Sequence, residues 1–179
     1  CRVVVITGAG RAFCAGGDVY CMSGLQKDGN VDAFRKLLDA GRDIVTTIAE
    51  MPKPVIASVN GVAAGAGCNL ALACDYRIAS DTAKLGETFV RIGLHPDWGG
   101  TWFLPRLVGP GRAMEILMTG RMVDAAEALA IGMVDRVVPA SDLVEQTISL
   151  ARAIAEGPAI AIAGIKTAMA APRTHTTSA

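Results

Sequence analysis

The chain has 179 residues, of which 51% are hydrophobic and 19% charged, and its 17 basic side chains balance 17 acidic ones. This length predicts one domain, and this much apolar material excludes a disordered chain. A net charge of zero leaves no electrostatic footprint for nucleic acid.

The elements follow in chain order. Residues 2–8, RVVVITG, are a β-branched run closed by Gly8, which predicts a buried strand. Residues 8–18 are a glycine-rich loop. Residues 31–50 space Phe34, Leu37, Leu38, Ile44, Val45 and Ile48 at helical intervals, and Pro52 and Pro54 stop that helix. Residues 54–61 read as a second buried strand, 68–75 as a short helix and 76–80 as a third strand. Beyond Gly93 the pattern turns helical. Asp124 and Glu127 form a capping box for the helix that follows. Residues 136–139 suggest a short strand, Ser141 or Asp142 opens a helix to about Glu156, and Pro158 opens another. Strands alternating with helices predict an α/β protein.

Residues 54–74 carry no charge and are long enough to cross a bilayer. Proline, serine, asparagine and glycine interrupt the run, so it reads as strand, tight loop and buried helix rather than a membrane span. Five cysteines without a CxxC pair predict reduced, mostly buried thiols, as in a cytoplasmic protein. His95 and His175 are too few and too far apart for a metal cluster. The chain opens directly in a strand, without Met, and closes on a polar tail, RTHTTSA, which predicts a piece of a longer protein.

Three stretches could carry chemistry. In AFCAGGD, residues 12–18, glycines free backbone N–H groups for an outside acceptor; a tight turn explains the same residues. In GVAAGAGCNLALACD, residues 61–75, a strand leads through small residues into a helix N-terminus, whose unpaired N–H groups could stabilise a developing negative charge. Close packing of helix on sheet is the competing explanation. In GLHPDWGGTW, residues 93–102, Asp97 stands between Pro96 and Trp98. Apolar surroundings favour the neutral form of a carboxylate, which suits a proton-transferring base. An aspartate before Gly-Gly-Thr is also ordinary helix-cap chemistry. The opening Gly8-x-Gly10 resembles a dinucleotide fingerprint, but Phe13 occupies the third glycine's place, so that reading fails.

Taken together, GAGRAFCAGGDV, PKPVIASVNGVAAGAGCNLALACDYRIAS and IGLHPDWGGTWFLPRLVG resemble the crotonase superfamily, which includes the enoyl-CoA hydratases and isomerases. The resemblance runs from about residue 2 to about residue 170. It implies a single crotonase-type (ClpP-like) domain over 1–179, a spiral of ββα units with C-terminal helices, truncated at both ends. It implies an acyl-CoA thioester substrate, no metal or redox cofactor, coenzyme A arriving only as part of the substrate, and a homotrimer or dimer of trimers. The thioester oxygen is expected between the N–H groups of Gly17 and Ala66, with Ala15, Gly16, Asp18, Gly65, Gly67, Asn69, Phe89 and Trp98 around the substrate.

Departures from the family pattern are informative. Hydratases of the family hold water with two glutamates; Asn69 and Phe89 occupy those two positions here, and neither carries a proton at neutral pH. If the segment is helical, Glu87 lies about 200° from Phe89 and faces away. Asp97 matches the acid/base of the aspartate-dependent isomerases, including the ring-epoxide and dienoyl-CoA isomerases. The expected activity is therefore a double-bond shift in an acyl-CoA. Hydration or thioester hydrolysis by an Asp97-activated water is one alternative, and a non-catalytic subunit another. Asn69 either bonds a polar substrate group or acts as a structural cap.

Overall fold

A computed structural model describes residues 1–170; the polar tail predicted at 173–179 lies outside them. The chain winds in ββα units, and each unit gives one strand to each of two sheets. β1 (Val4–Thr7), β3 (Val55–Val59), β5 (Tyr76–Ser80) and β8 (Arg136–Val138) form a parallel sheet in that order. β2 (Ala12–Cys14), β4 (Val62–Ala64), β6 (Lys84–Gly86) and β7 (Val123–Asp124) form the second, parallel except for the antiparallel β6–β7 pair. α1 (Val19–Lys27) and α2 (Val31–Glu50) follow β2, and α3 (Ala66–Leu72) follows β4. A 3-10 helix (Thr88–Ile92) follows β6, and α4 (Gly100–Val108) and α5 (Pro110–Thr119) come before β7. α6 (Ala125–Ala130), α7 (Leu143–Glu156) and α8 (Ala159–Ala170) complete the described chain.

β3 is buried at all five positions because both faces of its sheet are covered. Val55, Ala57 and Val59 enter the main core with Val45 and Ile48 of α2. Ile56 points the other way, packing with Ile78 and Leu143. On that second face the hydroxyls of Ser58 and Thr147 pair at 3.0 Å, so neither polar group is buried alone.

Most predicted elements are present, with four corrections. The glycine-rich loop 8–18 contains β2, and the small-residue run contains β4; both have three residues, too few to show a period. α3 begins at Ala66, two residues before the predicted start. At α6 the Asp124 carboxylate accepts from the Glu127 N–H at 2.8 Å, but the Glu127 side chain turns to Arg121 instead of completing a capping box. Of the five free thiols only Cys68 and Cys74 are buried, and Cys1 and Cys21 are exposed. Residues 54–74 fold as β3, β4 and α3, and among the described residues no single helix is long and apolar enough to cross a membrane.

α8 is tied to the body by one cation. The Lys166 ammonium donates to the Ile48 carbonyl (2.7 Å), the Lys53 carbonyl (3.1 Å) and the Asp75 carboxylate (2.7 Å), which uses all three of its protons. The same Asp75 oxygen accepts from the Val55 N–H at 2.7 Å, so the end of α2, the start of β3 and α8 meet at this point. Lys166→Ala is expected to lower stability by about 2–3 kcal/mol, read as a shift in urea midpoint with the slope unchanged.

Candidate active site

The two glycine-rich loops meet where β2 and β4 end side by side. A β-carbon on Gly67 would overlap the Cys14 carbonyl, and one on Gly16 would lie 2.8 Å from the Ala64 carbonyl oxygen and 3.5 Å from the Ala66 nitrogen. A β-carbon on Gly61 would overlap the Arg11 carbonyl. Much of the small-residue pattern is therefore required by close packing of one loop on the other. Gly16 (φ 99°) and Gly65 (φ 54°) also adopt backbone angles that other residues avoid. Asn60 holds the arrangement from below: its carboxamide accepts from the Gly8 N–H at 3.0 Å and donates to the Gly10 carbonyl at 3.0 Å.

Ala66 is the first residue of α3, so its N–H belongs to the unpaired first turn. Outside the regular elements neither it nor the Gly17 N–H donates to another backbone group among the described residues. Gly17 is exposed, and a β-carbon there would meet only the flexible Met22 side chain, whereas Ala66 is 7% exposed. Ala15 is exposed. The Asp18 carboxylate caps α1, accepting from the N–H groups of Tyr20 (2.9 Å) and Cys21 (3.0 Å), which gives it a structural task.

Phe89 is buried, and its ring edge lies 3.8 Å from where a β-carbon of Gly65 would stand, beside the start of α3. Glu87 does not face away. It precedes the 3-10 helix with φ −88° and ψ 71°, so helical rotation does not govern it. Its Oε2 lies 2.9 Å, and Asn69 Oδ1 2.5 Å, from the point where a Gly100 β-carbon would be; Pro96 Cβ is 3.0 Å from that point. Asn69 and Glu87 are both completely buried, and none of their four side-chain polar atoms has a hydrogen-bond partner. Asn69 sits inside α3 rather than at its end, so it is not a cap. Burial pushes the Glu87 carboxyl up to about 8 from the ordinary 4.5, with the neighbouring Cys68 thiol pulling less strongly the other way. That thiol is a weak donor and leaves both carboxyl oxygens without a geometric hydrogen bond. Burial and the Glu87 carboxyl together push the Cys68 thiol well above its ordinary value.

Asp97 is half-buried on the loop before α4. α4 is capped by Gly99 without a side-chain bond, and Asp97 takes part in no hydrogen bond or ion pair among the described residues. Helix capping therefore does not explain it. Its neighbour Trp98 lies across Gly41 of α2, where a β-carbon would overlap the indole ring. Trp98 therefore anchors the Asp97 loop on α2. A cleft of about 310 Å³, lined by Leu25, Gln26, Gly29, Asn30, Val31, Phe34 and Leu94, opens three residues before Asp97.

The family model for enoyl-CoA hydratase/isomerase matches residues 1–179. The chain belongs to the enoyl-CoA hydratase/isomerase family. This establishes the crotonase superfamily, and the ββα winding is the fold of its structural neighbours. The chain is 41% identical to the 1,2-epoxyphenylacetyl-CoA isomerase of Escherichia coli over 98% of its length and 67% of that protein's. It is 42% identical to a probable enoyl-CoA hydratase of Rhodobacter capsulatus over 93% of its length and 63% of that protein's. The crystal structure of an enoyl-CoA hydratase from Bacillus anthracis superposes with a TM-score of 0.89 at 43% identity, covering 94% of this chain and 64% of that one. The chain thus spans about two thirds of the length of these hydratase/isomerase relatives. Sequence reasoning turned Glu87 away from Asn69 and so missed its placement. No local signal marks it, because it depends on where Gly100 falls.

Proposed function

We propose that the chain is the core of an acyl-CoA double-bond isomerase. The Gly17 and Ala66 N–H groups hold the thioester oxygen, and Asp97 removes a proton from carbon and returns it elsewhere on the same enolate. The observation that carries this reading is Asp97 itself, a half-buried carboxylate with no structural bond, on a loop pinned to α2 by Trp98. The likeness to the Escherichia coli isomerase supports it. Asn69 and Phe89 supply no proton carrier, which suits a reaction without added water. The apolar cleft beside Leu94 takes the acyl chain. No metal or redox group is needed, and coenzyme A enters with the substrate. The exposed Ile160, Ile165 and Met169 of α8 provide apolar surface for a trimer or dimer of trimers.

Offering the intact parent protein a 3-enoyl-CoA and a 2-enoyl-CoA in parallel tests the reading. A rise in the conjugated enoyl absorbance from the 3-enoyl thioester supports isomerisation; a fall with the 2-enoyl thioester establishes hydration instead. Glu87 favours that second reading, since a carboxyl titrating at about 8 beside Asn69 could serve a water. The thioester hole has its own test. Proline at the first helical position, Ala66→Pro, removes an N–H that no helix bond uses and sets the ring carbon in the place of the thioester oxygen. Turnover is expected to fall by about 10²–10³ with circular dichroism unchanged.

A further inference from the structure

One face of α7 packs on the strands through Leu143, Thr147, Leu150 and Ile154, positions that share one arc of the helix. The opposite arc carries Glu145, Arg152 and Glu156, which with Ile148, Ser149 and Ala153 line an open groove of about 450 Å³. Glu145 and Arg152 stand two helical turns apart and so point the same way. Neither they nor Glu156 takes part in an ion pair among the described residues. Arg152 precedes Glu156 by one turn, base before acid, which is the weaker order for a pair within one helix. Val144 and Ile148, 71% and 40% exposed, give this charged line an apolar flank. Ser149 and Ala153 are small enough to admit a second helix at the usual separation of about 8–10 Å.

The charge order along this face is complementary to itself. Place two copies of α7 antiparallel, with the two-fold axis between Ile148 and Ser149. Glu145 of each copy then faces the partner's Arg152, and both pairs close at once. Sliding the helices until Glu145 faces the partner's Glu156 sets acid against acid, so charge selects the first register. We infer that the outer face of α7 is a two-fold contact between copies of this chain, closed by two crossed pairs between Glu145 and the partner's Arg152. Val144 and Ile148 pack along its side, over the small Ser149 and Ala153 of the other helix. The 14 residues of α7 span about 21 Å. One such helix per protomer offers less than the about 800 Å² per partner of a standard interface, so the contact is weak and concentration-dependent. It uses α7 alone, separate from the apolar surface of α8, and it does not rest on the acyl-CoA reading.

The test is sedimentation equilibrium of the intact parent protein from about 5 to about 500 μM, the range in which a weak interface associates. The wild type is expected to double the mass of its smallest species as concentration rises. Arg152→Glu and Glu145→Arg each place like charges in both pairs, and each weakens the doubling by about tenfold. An equimolar mixture of these two variants is complementary again and associates as the wild type does. The double variant Glu145→Arg/Arg152→Glu is complementary to itself and also recovers. Raising the salt from about 0.05 to about 0.5 M weakens the wild type and the double variant alike. A wild type that never doubles overturns the contact. So does a doubling that Arg152→Glu leaves unchanged, which would place the association on another surface. Two weakened single variants that recover neither when mixed nor when combined overturn the crossed pairing.

Discussion

On the proposed isomerase reading, replacing Asp97 with asparagine lowers kcat on a 3-enoyl-CoA by about 10²–10⁴-fold, the range that a positioned general acid/base contributes. The fold survives the change. Asp97 makes no hydrogen bond or ion pair among the described residues and caps no helix, so the amide breaks nothing. The thermal midpoint is therefore expected to stay as in the wild type. On the same reading KM changes little, because asparagine keeps the volume and the proposed Gly17 and Ala66 donors are untouched. A residual rate above the uncatalysed reaction persists through those two donors. Full activity in the asparagine variant would remove Asp97 from the mechanism and leave Glu87 as the carboxyl to test next. A binding-only subunit would show no rate to lose.

Stability is expected to fall by about 4 kcal/mol between pH 4.5 and pH 8, because burial raises the Glu87 carboxyl from 4.5 to about 8 in the folded state. The folded state keeps a proton that the unfolded state releases. The contribution is complete below pH 4.5, declines as pH rises, and is gone above the folded value. The cause is desolvation: ionising Glu87 places a charge where it has no exposed surface and no partner. The loss is comparable with the lower end of whole-domain stability, so alkaline conditions loosen the corner between α3, the 3-10 helix and α4. The Cys68 thiol faces Glu87 and is itself raised above 9.0, so its own titration begins beyond this window. Urea unfolding at several pH values between 4.5 and 8.5 reads the slope directly. Glu87→Gln carries no titrating proton and should flatten it. An equal slope in both proteins would mean that Glu87 has found a partner or water in solution.

What could be read locally was read from periodicity and loop chemistry. The spacing of Phe34, Leu37, Val45 and Ile48 specifies α2 over its observed span, and β-branched runs specify β1 and β3. The two glycine loops and the Pro96-Asp97-Trp98 turn were sufficient to place the family. These signals are short-range, because a helix face or a strand face is written in consecutive residues.

The tertiary structure decided the rest. Gly67 faces the Cys14 backbone 53 positions earlier, and Gly41 faces Trp98 57 positions later. No window along the chain contains either pair. The smallness of the first loop's partner therefore looked like room for a ligand, when part of it is room for backbone. The side chain of Asp18 went to a helix end because α1 begins immediately after it. Glu87 shows the same limit most clearly. Its orientation follows from the break in backbone angle before the 3-10 helix and from the return of α4 to place Gly100 over Asn69. Burial depends on everything that packs around a group, so the sequence by itself determined which residues could carry a proton here. Only the packed structure determined which of them lost their water.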